Sequence, residues 1–536
     1  MILNRKNKKR DKLLADFGSI KSDSFDFELI ENYFQKKDQS NTFQVLSYKT
    51  CNDLDFEELF MFIDRTNSKI GQQFLYNQLR TIPLNDEKTI DHEKLIDEFS
   101  NNQNFRVSVQ EQLSKLSDRD SYYISSLFQD EHLKAPKWLF AARLLAFTSV
   151  FSLIMLFFNP KMVFIIFGVF LINIIIHYTN KKNLYQYVSS LPQLLRLNSV
   201  AKNLFKNEKL RGINPNLPIS IKIIDKVRNR MTFFRMESKL QPDTGVMLWI
   251  FFEFIKILFL LEPLFLFNVL KQLDTKRKEI ADLFKYVGQI DSLISVASLR
   301  NGLENFCLPE VTTEQKIIVA EEIYHPLIPD CIKNNIRVNN KSILLTGSNM
   351  SGKTSFIRTI GINLITGLSL NTCFAKQFSA PRMKLYSAIR ISDDLMNDRS
   401  YYFEEVLTIK EMIDKSENGV PNLFLLDEIF KGTNTVERIS AGKAVLSALR
   451  KSDNIVFVST HDIELADLLK DEYELYHFSE KVDHKTVDFD YKLKDGKLKN
   501  RNAIRILQIN DYPENIIEEA IEISKDLDKY RVAKVL

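Results

Sequence analysis

The sequence predicts a mainly helical N-terminal region followed by a C-terminal α/β domain, and two changes of pattern support this division. In the first half, apolar residues recur at helical spacing, as Phe56, Leu59 and Ile63 do. After Pro309, short apolar runs alternate with helix-like stretches, which is the pattern of an α/β nucleotide-binding domain. We therefore expect a polar N-terminal segment at 1–45, a helical domain at 46–310, and an α/β domain with a C-terminal helix at 311–536.

Composition excludes little about function. The 73 basic and 69 acidic residues give a formal net charge of +4, so the overall charge offers no electrostatic case for nucleic-acid binding. The four cysteines are scattered, with no spacing typical of a metal site, which favours free thiols in a reducing compartment.

The helical domain contains a predicted apolar hairpin at 138–178. Two runs without charged residues, Leu144 to Phe158 and Met162 to Ile176, flank a turn-like segment that contains Lys161. With its flanking residues, each arm approaches the roughly 20 residues that cross a bilayer. Basic residues at both outer ends predict a transmembrane hairpin in the cytoplasmic (inner) membrane, with the α/β domain in the cytoplasm. The alternative is a buried hairpin in the core of a soluble protein.

A second apolar stretch, 246–270, is interrupted by Glu253, Lys256 and Glu262, and Pro263 would kink it. Charges in the middle of a bilayer cost about 2.5–3.5 kcal/mol each. We predict that this stretch is part of a long, largely buried helix of a soluble domain, which continues to about Asn301; a membrane-associated helix is the alternative.

The α/β domain begins with a predicted phosphate-binding loop. An apolar run, 342–345, precedes a G-x-x-x-x-G-K-[ST] motif, and a helix-like stretch follows, so the loop would join a strand to a helix N-terminus. Backbone N–H groups of such a loop point at phosphate oxygens, while Lys353 would reach the β- and γ-phosphates and Thr354 would bind Mg²⁺. The predicted nucleotide-binding residues here are Gly347, Ser348, Asn349, Met350, Ser351, Gly352, Lys353, Thr354 and Ser355.

Two further apolar runs end in polar side chains. The run 422–426 precedes Asp427 and Glu428, which predicts a buried parallel strand with carboxylates at its C-terminal end. Asp427 would hold Mg²⁺, and Glu428 would act as the general base for the attacking water. The run 454–459 precedes His461, which would then lie at the same sheet edge, near the γ-phosphate.

Taken together, these motifs resemble those of the MutS mismatch-repair ATPase family. The resemblance rests on Asn349-Met350 in the phosphate loop, the extended motif from Leu426 to Thr435, and Thr460-His461-Asp462. Ser392-Asp393-Asp394-Leu395, His325-Pro326 and the segment 62–75 are also similar to family motifs. The resemblance implies an ABC-type, MutS-like α/β P-loop ATPase domain preceded by an all-α lever or core domain. It further implies that ATP and Mg²⁺ are bound, and that Asp427, Glu428 and His461 serve hydrolysis.

The family forms dimers in which one subunit completes the other's site, so the resemblance implies a homodimer, with Ser400 as the candidate for the contact in trans. About 45 residues precede the helical core, too few for the family's mismatch-reading domain. The predicted hairpin stands where the family has a DNA-gripping insertion. The arrangement is similar to shortened, membrane-associated MutS-like proteins of bacteria.

Three functions remain open from the sequence. The first is a membrane-associated, dimeric ATPase that moves its helical levers and acts on DNA or on a protein partner. The second is a DNA mismatch or structure sensor used in repair. The third, a transport ATPase, ranks last because the two predicted membrane segments carry no polar residues that suggest a pathway.

Overall fold

The computed structural model describes residues 2–85, 89–131, 136–228, 231, 233–234, 246–348, 350–390, 401–482, 487–498, 503–510 and 512–535. The chain forms two compact units. The first consists of Met1–Asn41, Ile63–Arg80 and Asn85–Leu303, and the second of Thr42–Phe62, Thr81–Leu84 and Glu304–Leu536. The chain therefore passes between the units several times before residue 85.

The first unit is helical in its described part. Its α-helices are α1 (Ile2–Ala15), α2 (Phe27–Gln35), α5 (Lys69–Arg80), α6 (Thr89–Asn101), α7 (Gln103–Leu113), α8 (Ser126–Gln129), α9 (Leu139–Met155), α10 (Met162–Phe205), α11 (Glu208–Arg211), α12 (Leu217–Arg228), α13 (Val246–Phe259), α14 (Leu261–Leu273) and α15 (Arg277–Gly302). Short 3₁₀ helices lie at Ser114–Leu116, Arg119–Ile124 and Asp274–Lys276.

Helices α5 and α15 form the centre of this unit, and two buried carboxylates fix the start of α5. Asp291 of α15 accepts hydrogen bonds from the backbone N–H groups of Asn67 and Ser68, both at 2.8 Å, and from both side chains. Asp64 accepts from Thr66 and from Gln72. The donors satisfy carboxylates that burial alone would make costly.

The predicted apolar hairpin is present as two helices. Helices α9 and α10 pack against each other, and the turn 156–161 joins them. Large apolar side chains on both helices are exposed, among them Phe147, Phe151, Phe164 and Phe167. Within the described residues, one 18-residue segment, Met162–Thr179, is long and apolar enough to cross a membrane, while α9 is shorter. By length and composition alone, this is weak evidence for a membrane span.

The stretch 246–301 is helical, as the sequence predicts, and it is interrupted close to Pro263, where the sequence predicts a kink. It forms α13, α14 and α15, and the first break falls at Leu260, which has a left-handed φ of +47°. Pro263 explains this break, because its ring clashes with the carbonyl of the residue four positions earlier, Phe259, which is the last residue of α13. Helix α13 is less buried than the sequence predicts, because four of its large apolar side chains are exposed: Met247, Ile250, Phe251 and Phe254.

The second unit contains the α/β fold that the sequence predicts. Its strands are β1 (Thr42–Val45), β2 (Thr81–Pro83), β3 (Glu310–Thr312), β4 (Ile317–Ile323), β5 (Asn334–Asn339), β6 (Ser342–Thr346), β7 (Gln377–Pro381), β8 (Lys384–Ala388), β9 (Asn422–Asp427), β10 (Ile455–Thr460), β11 (Tyr473–His477), β12 (Glu480–Val482), β13 (Val487–Phe489) and β14 (Lys494–Asp495). Its helices are α3 (Tyr48–Asp53), α4 (Phe56–Ile63, ending in the first unit), α16 (Lys353–Leu370), α17 (Tyr401–Ser416), α18 (Thr435–Leu449), α19 (Ile463–Leu469), α20 (Ala503–Ile509) and α21 (Glu514–Val535).

A six-stranded sheet with the order β14-β11-β6-β10-β9-β8 carries the site. Strands β11, β6, β10, β9 and β8 are parallel, and β14 is antiparallel at the edge. Because parallel strands align their carboxyl ends, β6, β9 and β10 present the residues that follow them at one sheet edge. A four-stranded sheet, β3-β7-β4-β5, and two two-stranded sheets, β1-β2 and β12-β13, complete the unit.

The early segment 42–62 belongs to this unit because it covers the edge strand β8. The Gln44 side chain takes the place of a neighbouring strand's backbone beside Leu385. Its Oε1 accepts from the N–H of Leu385 at 2.8 Å, and its Nε2 donates to the C=O of Leu385 at 2.6 Å. Buried Asp53 accepts bonds from Ser387, Ile389 and Arg390 at the end of β8. Together they satisfy the backbone of an edge that would otherwise be unpaired.

Candidate nucleotide-binding site

The phosphate loop joins the fully buried strand β6 to α16, as the sequence predicts. Gly347 and Gly352 have positive φ values of +151° and +103°, which a side chain tolerates poorly. A Cβ at Gly347 would also lie 2.9 Å from the carbonyl oxygen of Phe478. The two glycines therefore let the chain curl back over the N-terminus of α16, where unpaired backbone N–H groups and the helix dipole favour an anion.

Lys353 is the first residue of α16 and is almost fully buried. Its Nζ donates to the carbonyl oxygens of Gly347 and Ser348, both at 2.8 Å, so the ammonium lies inside the loop. Burial lowers the pKa of Lys353, an effect that nearby Glu428 and Asp427 oppose. The loop thus has a positive charge at its centre, suited to a phosphate chain.

Thr354 and Asp427 supply oxygen ligands for a cation. Thr354 Oγ1 donates to Asp427 Oδ2 at 2.8 Å, and Ser459 donates to the other oxygen of Asp427. No cluster of three or more His, Cys, Asp or Glu side chains suited to a metal occurs among the described residues. One carboxylate and one hydroxyl beside a phosphate loop are nevertheless what Mg²⁺ needs, because it takes its other oxygens from phosphates and water. These residues fit a nucleotide-bound Mg²⁺.

Glu428 follows β9 with a left-handed φ of +50°, and its N–H donates to Ser459 O at 2.9 Å. Its carboxylate contacts two basic residues. His461 Nε2 lies 2.5 Å from Oε1, and Lys431 Nζ lies 2.6 Å from Oε2. Burial would raise the pKa of Glu428, but the hydrogen bonds from His461 and Lys431 outweigh it and lower the pKa to about 2. Glu428 is therefore ionised at neutral pH and able to accept a proton.

A cavity of about 510 Å³ opens beside the loop. Lys353, Thr354, Ser355 and Glu428 line one side. The rest of the wall consists largely of residues from 323–334, together with Phe478 and Tyr491. Its volume and mixed apolar and polar lining suit a nucleotide-sized ligand.

His325 belongs to this wall and is buried. Burial, together with the neighbouring positive charge of Arg358, lowers the pKa of His325 to about 4. Its Nδ1 accepts the N–H of Leu327 at 3.3 Å. The imidazole is therefore neutral at pH 7 and offers a flat, uncharged surface to the cavity.

Tyr491 and Phe478 are site residues that sequence reasoning missed. The alternation of apolar and charged residues from Val487 to Leu493, before Asp495-Gly496, predicts an edge hairpin, and this pattern does not indicate a binding role. In the structure, β13 pairs with β12, and β14 pairs with β11. The Tyr491 ring lies where a Cβ on Gly352 would approach it to 3.2 Å. Asn334 fixes this segment, donating to Tyr491 O and accepting from Leu493 N–H. Only the fold brings Tyr491 to the loop, more than a hundred residues away in the chain.

The structure brings most of the predicted site residues together. Residues 347, 348, 350–355, 427, 428 and 461 meet at one edge of the sheet, through the contacts given above. Two predicted residues, Asn349 and Ser400, lie outside the described residues, as does the motif 392–395. Met350 has a φ of +73° and is 81% exposed, so its side chain points away from the loop's interior.

Comparison with known proteins agrees with this geometry. Residues 343–528 match the family model for MutS domain V. DNA mismatch repair protein MutS of Bacillus cereus strain B4264 is 27% identical over 264 residues, which are 47% of this chain and 29% of that protein. The protein of the same name from Aquifex pyrophilus is 27% identical over 272 residues, or 49% of this chain and 31% of that protein.

Residues 343–528 therefore form a MutS domain V. The matched MutS domain V, an ATPase-type α/β domain, begins in β6 and includes the phosphate loop, Asp427, Glu428 and His461. The match covers less than a third of the length of these curated MutS relatives. The chain therefore aligns with only part of the length of these relatives.

Proposed function

We propose that this protein binds and hydrolyses ATP with Mg²⁺ at the phosphate-loop site. The observation that carries the proposal is the convergence of Lys353, the Thr354–Asp427 pair and the Glu428–His461 pair at the carboxyl ends of adjacent parallel strands. A cation, an oxygen pair suited to Mg²⁺ and an ionised carboxylate are the groups that phosphoryl transfer to water requires. The match to MutS domain V supports the same activity.

In this mechanism the loop and Lys353 hold the phosphate chain by backbone N–H groups and an ammonium. Mg²⁺ bound with the nucleotide neutralises the negative charge on its phosphates, and Thr354 and Asp427 would hold it. Glu428 orients the attacking water and takes its proton. His461, which contacts Glu428 at the same edge of the sheet, would contact the γ-phosphate.

Lys353→Ala tests whether this loop binds nucleotide. Removing the ammonium should weaken ATP binding at least tenfold, because its charge lies at the centre of the loop. Titration of a fluorescent ATP analogue into purified protein measures the effect. Lys341→Ala, a substitution on the short turn before β6, is the matched control and should bind normally. Equal affinity for all three proteins would place the nucleotide elsewhere.

We also propose that two copies associate on ATP binding, as the family resemblance implies, with Ser400 contacting the partner's nucleotide. The exposed side chain of Met350 supports this, because it leaves one side of the loop available to a second subunit. Closing and reopening of the dimer would move the helical levers.

We further propose that α9 and α10 anchor the protein in the cytoplasmic membrane, with the α/β unit in the cytoplasm. The support is the number of large apolar side chains on both helices that remain exposed. Placing them in hydrocarbon would remove this surface from water, which is favourable by about 1.5–3 kcal/mol for each fully buried side chain.

The membrane proposal predicts how the chain fractionates. The full chain should sediment with membranes and resist a sodium carbonate wash, and a chain without residues 138–178 should stay in the supernatant. The double substitution Phe151→Lys, Phe167→Lys should also weaken retention, since both side chains are exposed on these helices. Ile219→Lys with Ile523→Lys, exposed apolar residues elsewhere, should change nothing. A soluble full-length chain would refute the anchor.

A DNA mismatch or structure sensor is the second candidate function, because the relatives are named DNA mismatch repair proteins. Of the basic residues near α11 and α12, Lys202, Lys209, Arg211 and Arg228 form ion pairs with acidic side chains, which reduces the positive charge available to phosphates. Salt-dependent binding that favours mismatched or branched duplexes over matched duplex would support this candidate. Equally weak binding to all duplexes would reject it.

A further inference from the structure

Helix α13 has the opposite distribution of polarity from a helix on the surface of a soluble protein. Its exposed side chains, Met247, Ile250, Phe251 and Phe254, follow the i, i+3, i+4, i+7 spacing of a single helix face and are 44–86% exposed. Its charged residues point the other way. Lys256 is only 2% exposed, and the Glu253 side chain 13%.

The charged residues of α13 are paired inside the helical unit. Lys256 Nζ lies 2.6 Å from Glu253 Oε2 and 3.6 Å from Glu262 Oε2 of α14. The other oxygen of Glu253 lies 3.3 Å from Nε2 of His177, a buried residue of α10. In water, such groups gain by lying at the surface, and lysine is rarely buried. An outer apolar face with paired charges inside is the arrangement expected where the surrounding medium is hydrocarbon.

Contacts with α10 place α13 beside the candidate membrane span. The Phe254 and Phe170 rings are 5.0 Å apart, and Asn173 Nδ2 donates to Leu258 O at 2.9 Å. Phe170, Asn173 and His177 all lie within Met162–Thr179. If that segment crosses a bilayer, the second half of α13 must lie at the same depth.

The hydrogen bond from Asn173 to Leu258 O would also help α13 to lie in a bilayer. The helix breaks at Leu260, so carbonyl groups near the end of α13 lack their usual helical partners. Broken helices are tolerated at membrane depth only where neighbouring groups satisfy the freed backbone. The Asn173 amide, fully buried on α10, provides one such partner to Leu258 O.

We propose that α13 is a third membrane-embedded helix, packed against the α9–α10 hairpin with its outer apolar face in contact with lipid acyl chains. Its charged side chains pair with one another and with groups of α14 and α10. The proposal rests on the membrane association proposed above and extends it to a segment that hydropathy does not select. The apolar surface of α13 is continuous with that of the hairpin, since α13 packs against both α9 and α10. The occupant of this surface is thus the acyl region of the bilayer.

The two tryptophans of the chain, Trp138 and Trp249, make the proposal testable. Trp138→Phe leaves Trp249, on α13, as the only indole. A second protein, Trp138→Phe, Trp249→Phe, Phe164→Trp, reports on the hairpin from an exposed position of α10. Both proteins would be reconstituted in phosphatidylcholine vesicles with bromine on the acyl chains, which quenches indole fluorescence on contact. A third protein with Ile523→Trp in the tryptophan-free background gives the level for an aqueous site.

We expect brominated lipid to quench Trp249 and the Phe164→Trp reporter to a similar extent, by at least half, and to leave Ile523→Trp unchanged. Quenching of the Phe164→Trp reporter alone would overturn the proposal for α13 while leaving the hairpin anchor intact. If neither Trp249 nor the Phe164→Trp reporter is quenched, the membrane association itself is rejected, and with it this inference.

Discussion

Glu428→Gln is expected to lower the ATP turnover number by about 10²–10⁴-fold, the range in which general-base catalysis contributes. Glutamine keeps the shape and the hydrogen-bonding capacity of the side chain but cannot take a proton from water. Nucleotide affinity should change less than twofold, because Lys353 and the loop backbone, rather than Glu428, hold the phosphates. Steady-state phosphate release and fluorescent-nucleotide titration measure the two effects separately.

Glu417→Gln is the matched control for this substitution, because Glu417 is exposed just beyond α17 in the same unit. It should behave like the unchanged protein in both assays. Unchanged turnover in Glu428→Gln would show that another group activates the water. Loss of nucleotide binding in the same variant would instead show that Glu428 holds the loop in place.

The pairing of Glu428 has a further consequence for catalysis. A base with a pKa of about 2 is fully ionised at pH 7 but takes up a proton weakly. Two cationic or hydrogen-bonding partners, His461 and Lys431, produce this low value. Loss of either contact would raise the pKa of Glu428 and make it a better base.

The parts of the site that could be predicted from sequence are those encoded by short, continuous motifs. Gly347 to Thr354, Asp427-Glu428 and His461 each follow an apolar strand, and parallel strands bring their carboxyl ends to one edge of a sheet. The wall formed by His325, Phe478 and Tyr491 could not be located in this way. The wall forms only when three separate segments of the chain fold together, and the spacing of residues within one segment cannot predict such a contact.

Two features of the helical regions show the same limit. Helical periodicity in residues 48–63 predicts a buried face but not the partner, and the fold places 42–62 against β8 of the α/β unit. In α13, hydropathy averages the charges of Glu253 and Lys256 with their apolar neighbours. The average cannot show that the charges face inward and the phenylalanines outward, and that orientation decides what medium the helix suits.

Asp291→Ala is expected to destabilise the helical unit by about 3 kcal/mol or more, since each buried donor left without a partner costs about 1–3 kcal/mol. The substitution removes the acceptor for the N–H groups of Asn67 and Ser68 and for both side chains, at the start of α5. Asp291 is fully buried, and a Cβ on Gly71 would lie 2.2 Å from its Oδ2, so water has little room to replace it. A loss of this size is a large part of a typical domain stability of about 5–15 kcal/mol.

Hydrogen exchange read by mass spectrometry localises this effect. Amides of α5 should exchange about a hundredfold faster in Asp291→Ala, because each 1.4 kcal/mol changes an equilibrium constant about tenfold. Asp97→Ala, an exposed position on α6 of the same unit, should leave α5 protected. Together, these results would show that the segment 64–75 is needed to position α5 against α15, through the hydrogen bonds of the buried carboxylates Asp64 and Asp291. Undiminished protection in Asp291→Ala would mean that packing of α5 against α15 suffices without this acceptor.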